Sequence, residues 1–209
     1  MEKVAIVDYG MGNLHSVKKA FEKASPRDEI LITRSSVEID EADKIILPGV
    51  GAIKDCIKSL RDLKLDQLIV KNIKTKPLLA ICVGMQILLD FSEENNGTKG
   101  LGLIKGDVKK FNQDDNSRKI KIPHMGWNTV EQVQDHFIWS GIPNNSYFYF
   151  VHSYSCELID KTVGITEHGR DFSAAIAHKN LFAVQFHPEK SQDLGLEIFK
   201  NFSKWKGEK

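Results

Sequence analysis

With 209 residues, 41% of them hydrophobic and 27% charged, the chain has the make-up of one globular domain that buries about 70% of its unfolded surface without a disulfide or metal staple. Its 29 Lys+Arg against 28 Asp+Glu leave a net charge of +1, which gives no polyanion-binding face and excludes nucleic acid as a partner. No apolar run approaches the roughly 20 residues of a membrane span and residues 1–8 hold no signal-peptide core, so no membrane partner and a cytoplasmic location are expected.

The first segment reads as strand, glycine-rich turn and helix: Val4-Ala5-Ile6-Val7, then Asp8-Tyr9-Gly10-Met11-Gly12-Asn13, then the stripe Leu14, Val17, Ala20, Phe21. The unit recurs with Ile45-Ile46-Leu47, the loop Pro48-Gly49-Val50-Gly51 and the stripe Ile53, Ile57, Leu60. It recurs again with Leu78-Leu79-Ala80-Ile81, Cys82 and a helix through Leu88. Continuously apolar strands alternating with amphipathic helices predict an α/β fold with a mostly parallel central sheet flanked by helices. Residues 93–99 and 113–119 read as exposed loops. From about residue 101 the chain is predicted to be mostly strand, including Tyr147-Phe148-Tyr149-Phe150-Val151 and the run of residues 181–186. A terminal helix with the stripe Leu194, Ile198, Phe202, Trp205 closes a single domain, 1–209.

Three cysteines, at 56, 82 and 156, form an odd and widely spaced set without a C-x-x-C pair, so no metal site and no cofactor are expected. Cys82 differs from the others in context. It ends an apolar strand, a helix begins just after it, and Ala80-Ile81-Cys82-Val83-Gly84 has the small flanking residues of a nucleophile elbow. A helix start at that point also offers free N–H groups that favour an anion. Cys56, inside an amphipathic helix, and Cys156, near a strand end, read as packing residues.

His187-Pro188-Glu189 follows directly on the last apolar run. In extended backbone, residues two apart share a face, which lets Glu189 reach one ring nitrogen of His187 while the other nitrogen takes a thiol proton. Strand-end groups at the carboxyl edge of a parallel sheet are where such folds gather their active sites. A thioester route also needs N–H donors for the developing oxyanion. Val83, next to the nucleophile, supplies one, and Val50 or Gly51 in the glycine-rich loop supplies the other, with a peptide flip there serving as a switch. Gln86, one helical turn beyond Cys82, is placed to bond a substrate's main-chain groups.

Together, Pro48-Gly49-Val50-Gly51, Cys82-Val83-Gly84-Met85-Gln86, Ser92-Glu93-Glu94, Pro123-His124-Met125-Gly126-Trp127-Asn128, Tyr149-Phe150-Val151-His152-Ser153-Tyr154 and Gln185-Phe186-His187-Pro188-Glu189-Lys190-Ser191 resemble the class I glutamine amidotransferases. Among these, the sequence is similar to the glutaminase subunit of imidazole glycerol phosphate synthase over essentially its whole length. The resemblance implies a flavodoxin-like fold, a Cys82, His187, Glu189 triad, and oxyanion donors at Val50, the switchable peptide, and Val83. It implies a glutamine pocket at Gly49, Gly51 and Gln86. It places Asn13 towards the partner and Trp127, Tyr147 and Lys190 at the partner surface around the ammonia exit. The implied substrate is L-glutamine, and the implied partner is a separate (β/α)8-barrel cyclase that uses the ammonia in histidine biosynthesis. An alternative is a paralogous subunit supplying ammonia for nucleotide-sugar amidation in surface polysaccharide pathways. Val83 stands where leucine is usual, which is tolerable because only its backbone N–H is used, and Lys105 where proline is frequent, in a loop away from the chemistry.

Overall fold

The protein is described here by a computed structural model covering residues 1–112 and 119–207. The chain opens with β1 (Lys3–Val7), α1 (Leu14–Ala24), β2 (Glu29–Thr33), α2 (Ser36–Glu41), β3 (Lys44–Gly49), α3 (Ile53–Asp62), α4 (Leu65–Asn72), β4 (Leu78–Cys82) and α5 (Val83–Ile87). It continues through β5 (Phe91–Ser92), β6 (Thr98–Lys99), β7 (Asp107–Lys110), β8 (His124–Gln132), β9 (Ser146–His152), β10 (Tyr154–Cys156), β11 (Thr162–His168), β12 (Arg170–His178), β13 (Leu181–Val184) and α6 (Gln192–Lys204).

Nine strands form one sheet in the order β2-β1-β3-β4-β13-β12-β11-β8-β9. The first five in that order run parallel, and the remaining pairings are antiparallel, so the sheet is mixed. Apart from the lysines that open β1 and β3, strands β1, β3 and β4 carry no polar side chain before Cys82 because helices cover both faces of the parallel half, leaving no solvent face for alternation to mark. In β9, by contrast, Ser146, Phe148, Phe150 and His152 are buried while Tyr147 is exposed, the period of two expected of a half-covered strand. The unit of β2 and α2 and the helix α4 escaped the sequence reading. β2 is a five-residue edge strand with a mixed burial pattern that carries no clean period.

A smaller four-stranded sheet, β10-β7-β5-β6, packs beside the first. It corrects the expectation of an exposed loop at 93–99: a 3-10 turn, Glu94–Asn96, and strand β6 occupy that stretch, with Thr98 buried and Glu94 half-buried. The other expected loop, 113–119, lies outside the described residues except for Lys119, which is exposed. The terminal helix folds back on the first, Phe21 meeting Phe199 at 5.5 Å and Phe202 at 6.3 Å between ring centroids. Among the described residues, no helix is long and apolar enough to cross a membrane.

Candidate active site

Cys82 is the last residue of β4, with φ 55° and ψ −113°, a conformation rare for a residue bearing a side chain. The turn into α5 is sharp enough to throw the sulfur off the sheet edge. Two glycines make it possible: a β-carbon on Gly84 would lie 2.1 Å from the Leu47 carbonyl oxygen, and one on Gly49 would lie 2.6 Å from the Gly84 nitrogen. Gly49 therefore supports the elbow from below, packed directly against Gly84.

β13 is the parallel neighbour of β4, with Val184 opposite Ile81, so the chain leaving β13 passes beside the elbow. His187 N–H donates to the Tyr149 carbonyl at 2.9 Å, and Ser191 Oγ bonds both the His187 carbonyl, at 2.7 Å, and the Tyr149 N–H, at 3.0 Å. Glu189 reaches His187 Nδ1 with Oε1 at 2.8 Å, both side chains nearly fully buried. The reach is made by a 3-10 turn over Pro188–Lys190, not by the extended backbone expected from sequence. Proline at the first position, with φ already fixed, favours that turn.

Burial pulls the His187 pKa down, but the Cys82 sulfur and then the Glu189 carboxylate outweigh it and raise it to about 10. With Nδ1 committed to Glu189, the buried Nε2 makes no hydrogen bond of good geometry and is free for proton transfer. The ring can therefore hold a proton beside the sulfur and release it to a substrate atom.

Around this pair lies a 390 Å³ cavity lined by Val50, Gly51, Cys82, Val83, Gln86, Glu94, Val151, His152, Ser153, Tyr154, His187 and Lys190. Val50, Gly51, Val83 and Gln86 line one cavity with Cys82, and Lys190, expected at the partner surface, lines it as well. The loop ahead of α3 is held at three points. The Tyr9 hydroxyl donates to the Pro48 carbonyl at 2.7 Å, the Cys56 thiol to the Val50 carbonyl at 3.5 Å, and Ile53 N–H to Glu94 Oε2 at 2.8 Å. Because a trans peptide sets its two polar groups on opposite sides, the Gly51 N–H points away from Cys56. Cys56 is a packing residue, as expected, but its thiol also anchors this loop; burial pushes that thiol up to about 11, so it stays a donor. Gln86 is buried and its Nε2 donates to the Tyr154 carbonyl at 3.0 Å and to Gln185 Oε1 at 2.9 Å.

The remaining expected residues lie outside the cavity. Asn13 precedes α1, half-buried, in the turn whose Met11 and Gly12 face Gly51 and Pro48. Trp127, 46% exposed, meets Tyr149 edge-on at 6.2 Å, and Lys190 lies over the other partner of that contact, Tyr149, at 5.5 Å. Tyr147 and Met125, 59% and 64% exposed, extend the same face of the β8–β9 pair. Sequence reasoning missed Glu94, His152, Tyr154 and Gln185 as site residues. Glu94, His152, Tyr154 and Gln185 all stand inside the quoted motifs, and their signal was visible without a chemistry to attach to it.

A family model described as glutamine amidotransferase class-I matches residues 5–205. The imidazole glycerol phosphate synthase subunit HisH of Pseudomonas syringae pv. syringae is 48% identical over 211 residues, covering 99% of both chains. The corresponding subunit of Hydrogenovibrio crunogenus is 47% identical, covering 98% of this chain and 97% of its own. Among solved structures, PurLQS from Thermotoga maritima superposes with a TM-score of 0.70 at 19% identity, covering 98% and 99% of the two chains. A glutamine amidotransferase structure gives 0.70 at 16% identity, covering 97% and 99%, and both share the fold. A match along nearly the entire length, to the family model and to relatives sharing almost half of its residues, makes this chain a member of the class I glutamine amidotransferases.

Proposed function

We propose that Cys82, His187 and Glu189 carry out glutamine hydrolysis as a nucleophile, a general base and acid, and the group that orients the base. The chain is the glutaminase subunit of imidazole glycerol phosphate synthase, acting in histidine biosynthesis. The Cys82 sulfur attacks the side-chain amide carbon of L-glutamine, and the carbonyl π electrons move onto oxygen. Val83 N–H and an N–H of the Val50 loop receive that oxyanion, a contribution commonly worth about 3 to 4 kcal/mol. His187 Nε2 hands its proton to the departing nitrogen, ammonia leaves, and a thioester remains. Water, losing a proton to His187 Nε2, then attacks the thioester, and the released sulfur takes that proton back to give glutamate and restore the thiol.

The carrying observation is the 2.8 Å contact of Glu189 behind a ring that leaves the strand next to that of Cys82. Gln86 has both N–H groups engaged, so its carbonyl oxygen is what it offers the cavity, an acceptor suited to an ammonium. The exposed apolar face of Met125, Trp127 and Tyr147, with Lys190 beside it over Tyr149, suits a partner subunit, in this reading a (β/α)8-barrel cyclase in the cytoplasm that also reaches Asn13. Incubation with glutamine, acid quench and peptide mass mapping is expected to find a glutamyl adduct on Cys82. Glutaminase activity is expected to rise steeply on adding the cyclase and its nucleotide ligand. Activity that survives Cys82→Ala would sink this assignment.

A further inference from the structure

Gln185 is completely buried between Val184 and Phe186, at a position where an apolar side chain would carry no desolvation cost. Its backbone N–H continues the sheet by donating to the Ala174 carbonyl at 2.8 Å. The side chain is also fully directed: Oε1 accepts from Gln86 Nε2 at 2.9 Å, and Nε2 donates to Cys82 Sγ at 3.6 Å.

The direction of this chain of bonds is fixed by a group that can only accept. The Tyr154 carbonyl receives His152 Nδ1 at 2.8 Å and Gln86 Nε2 at 3.0 Å. Gln86 must therefore turn its nitrogen that way, and the same nitrogen faces Gln185. Gln185 is left to present its oxygen to Gln86 and its nitrogen to the sulfur. Turning the Gln185 amide over would set N–H against N–H at one end and oxygen against sulfur at the other.

We propose that Gln185 is a positioning residue of the glutaminase site, whose side-chain N–H fixes the Cys82 sulfur and favours its anionic form. This rests on the reading of Cys82 as nucleophile. A donor to an anion is stronger than one to a neutral atom, so the bond matters most in the reactive state. Its loss slows the attack and leaves glutamine binding alone, a fall in kcat at unchanged KM.

Three variants of the full chain test this, Gln185→Met, Gln185→Glu and Cys82→Ala, each assayed for partner-stimulated glutaminase activity and for iodoacetamide alkylation across pH. Cys56 and Cys156 stay silent in the alkylation because burial pushes their thiols up to about 11 and about 12. Gln185→Met keeps the volume and removes the donor. It is expected to lower kcat about tenfold or more with KM within about twofold, and to move the Cys82 alkylation profile to higher pH. Gln185→Glu keeps an acceptor for Gln86 and turns an oxygen on the sulfur, so its loss and its shift are expected to be larger; it carries the test if Gln185→Met fails to fold. Wild-type kcat and an unmoved profile in either folded variant, beside an inactive Cys82→Ala, overturn the role of Gln185 alone. Activity retained in Cys82→Ala overturns the nucleophile and Gln185 with it.

Discussion

Gly84 lies so close beneath Leu47 that one added methyl group would meet the Leu47 carbonyl oxygen at 2.1 Å. Neither atom can yield cheaply, since one belongs to the strand β3 backbone and the other to the elbow itself. Gly84→Ala is therefore expected to cost about 2 kcal/mol or more in chemical denaturation and to lower kcat at least tenfold by shifting the sulfur. A variant with unchanged stability and turnover would show that the elbow has slack.

Glu189→Gln separates orientation from charge. The amide oxygen can still accept from His187 Nδ1, but the carboxylate that helps keep the ring protonated is gone. A drop in kcat of about 10²-fold with little change in KM is expected from steady-state kinetics. Glu189→Ala is expected to be less stable than Glu189→Gln in the same denaturation series, because it leaves the buried ring with no partner.

Stability is expected to fall on both sides of neutrality. His124, His136 and His152 each hold a ring nitrogen as an acceptor: His124 Nε2 takes Asn128 Nδ2 at 3.1 Å, His136 Nδ1 takes Ile138 N–H at 3.1 Å, and His152 Nε2 takes His124 Nδ1 at 3.0 Å. Protonation would oppose two donors in each case. Burial first, with the neighbouring rings adding to it for His124 and His152, lowers the pKa to about 4 for His124 and His136 and to about 3 for His152, against 6.5 when exposed. Between those limits the unfolded chain binds more protons, so stability drops as pH falls from about 6.5 towards 4, by up to about 1.4 kcal/mol per pH unit for each ring. His187 has the opposite sign. Its raised pKa gives a contribution complete below 6.5 and lost as pH climbs through about 10. Melting temperature measured from pH 4 to 10 should trace a dome, and His136→Asn, which keeps an acceptor for Ile138, should flatten the acid limb.

Trp127→Glu tests the exposed face without disturbing the interior. Its side chain stands on the solvent side of β8, so the isolated chain should melt within about 0.5 kcal/mol of the wild type. The apparent affinity for the partner should fall, read as the partner-subunit concentration that half-saturates glutaminase stimulation. A variant with wild-type half-saturation would remove this face from the contact.

Strands β1, β3 and β4 were legible because their runs 4–7, 45–47 and 78–81 are continuously apolar and the turns after β1 and β3 carry glycine. Cys82 and His187 could be paired because each ends such a strand. What sequence could not show was adjacency: nothing in residues 78–82 or 181–184 says that β4 and β13 are neighbours. The turn at Pro188 was misread as extended because two residues of backbone do not distinguish a 3-10 start from a strand end. Residues 93–99 look like a solvated loop by composition, yet the Glu94 side chain is spent on the cavity wall and on the N–H of Ile53. Gln185 was hidden for the same reason, since a buried amide has no periodic signature and its meaning comes entirely from what it touches.

β13 is a central strand that is synthesised near the end of the chain. It slots between β4 and β12, two strands that lie roughly a hundred and a few residues earlier in sequence respectively. Until residue 181 has left the ribosome, β4 has an open edge and Cys82 has no His187 beside it. The fold thereby leaves the edge of β4 unpaired in any chain cut short before β13, an open template for pairing with other strands.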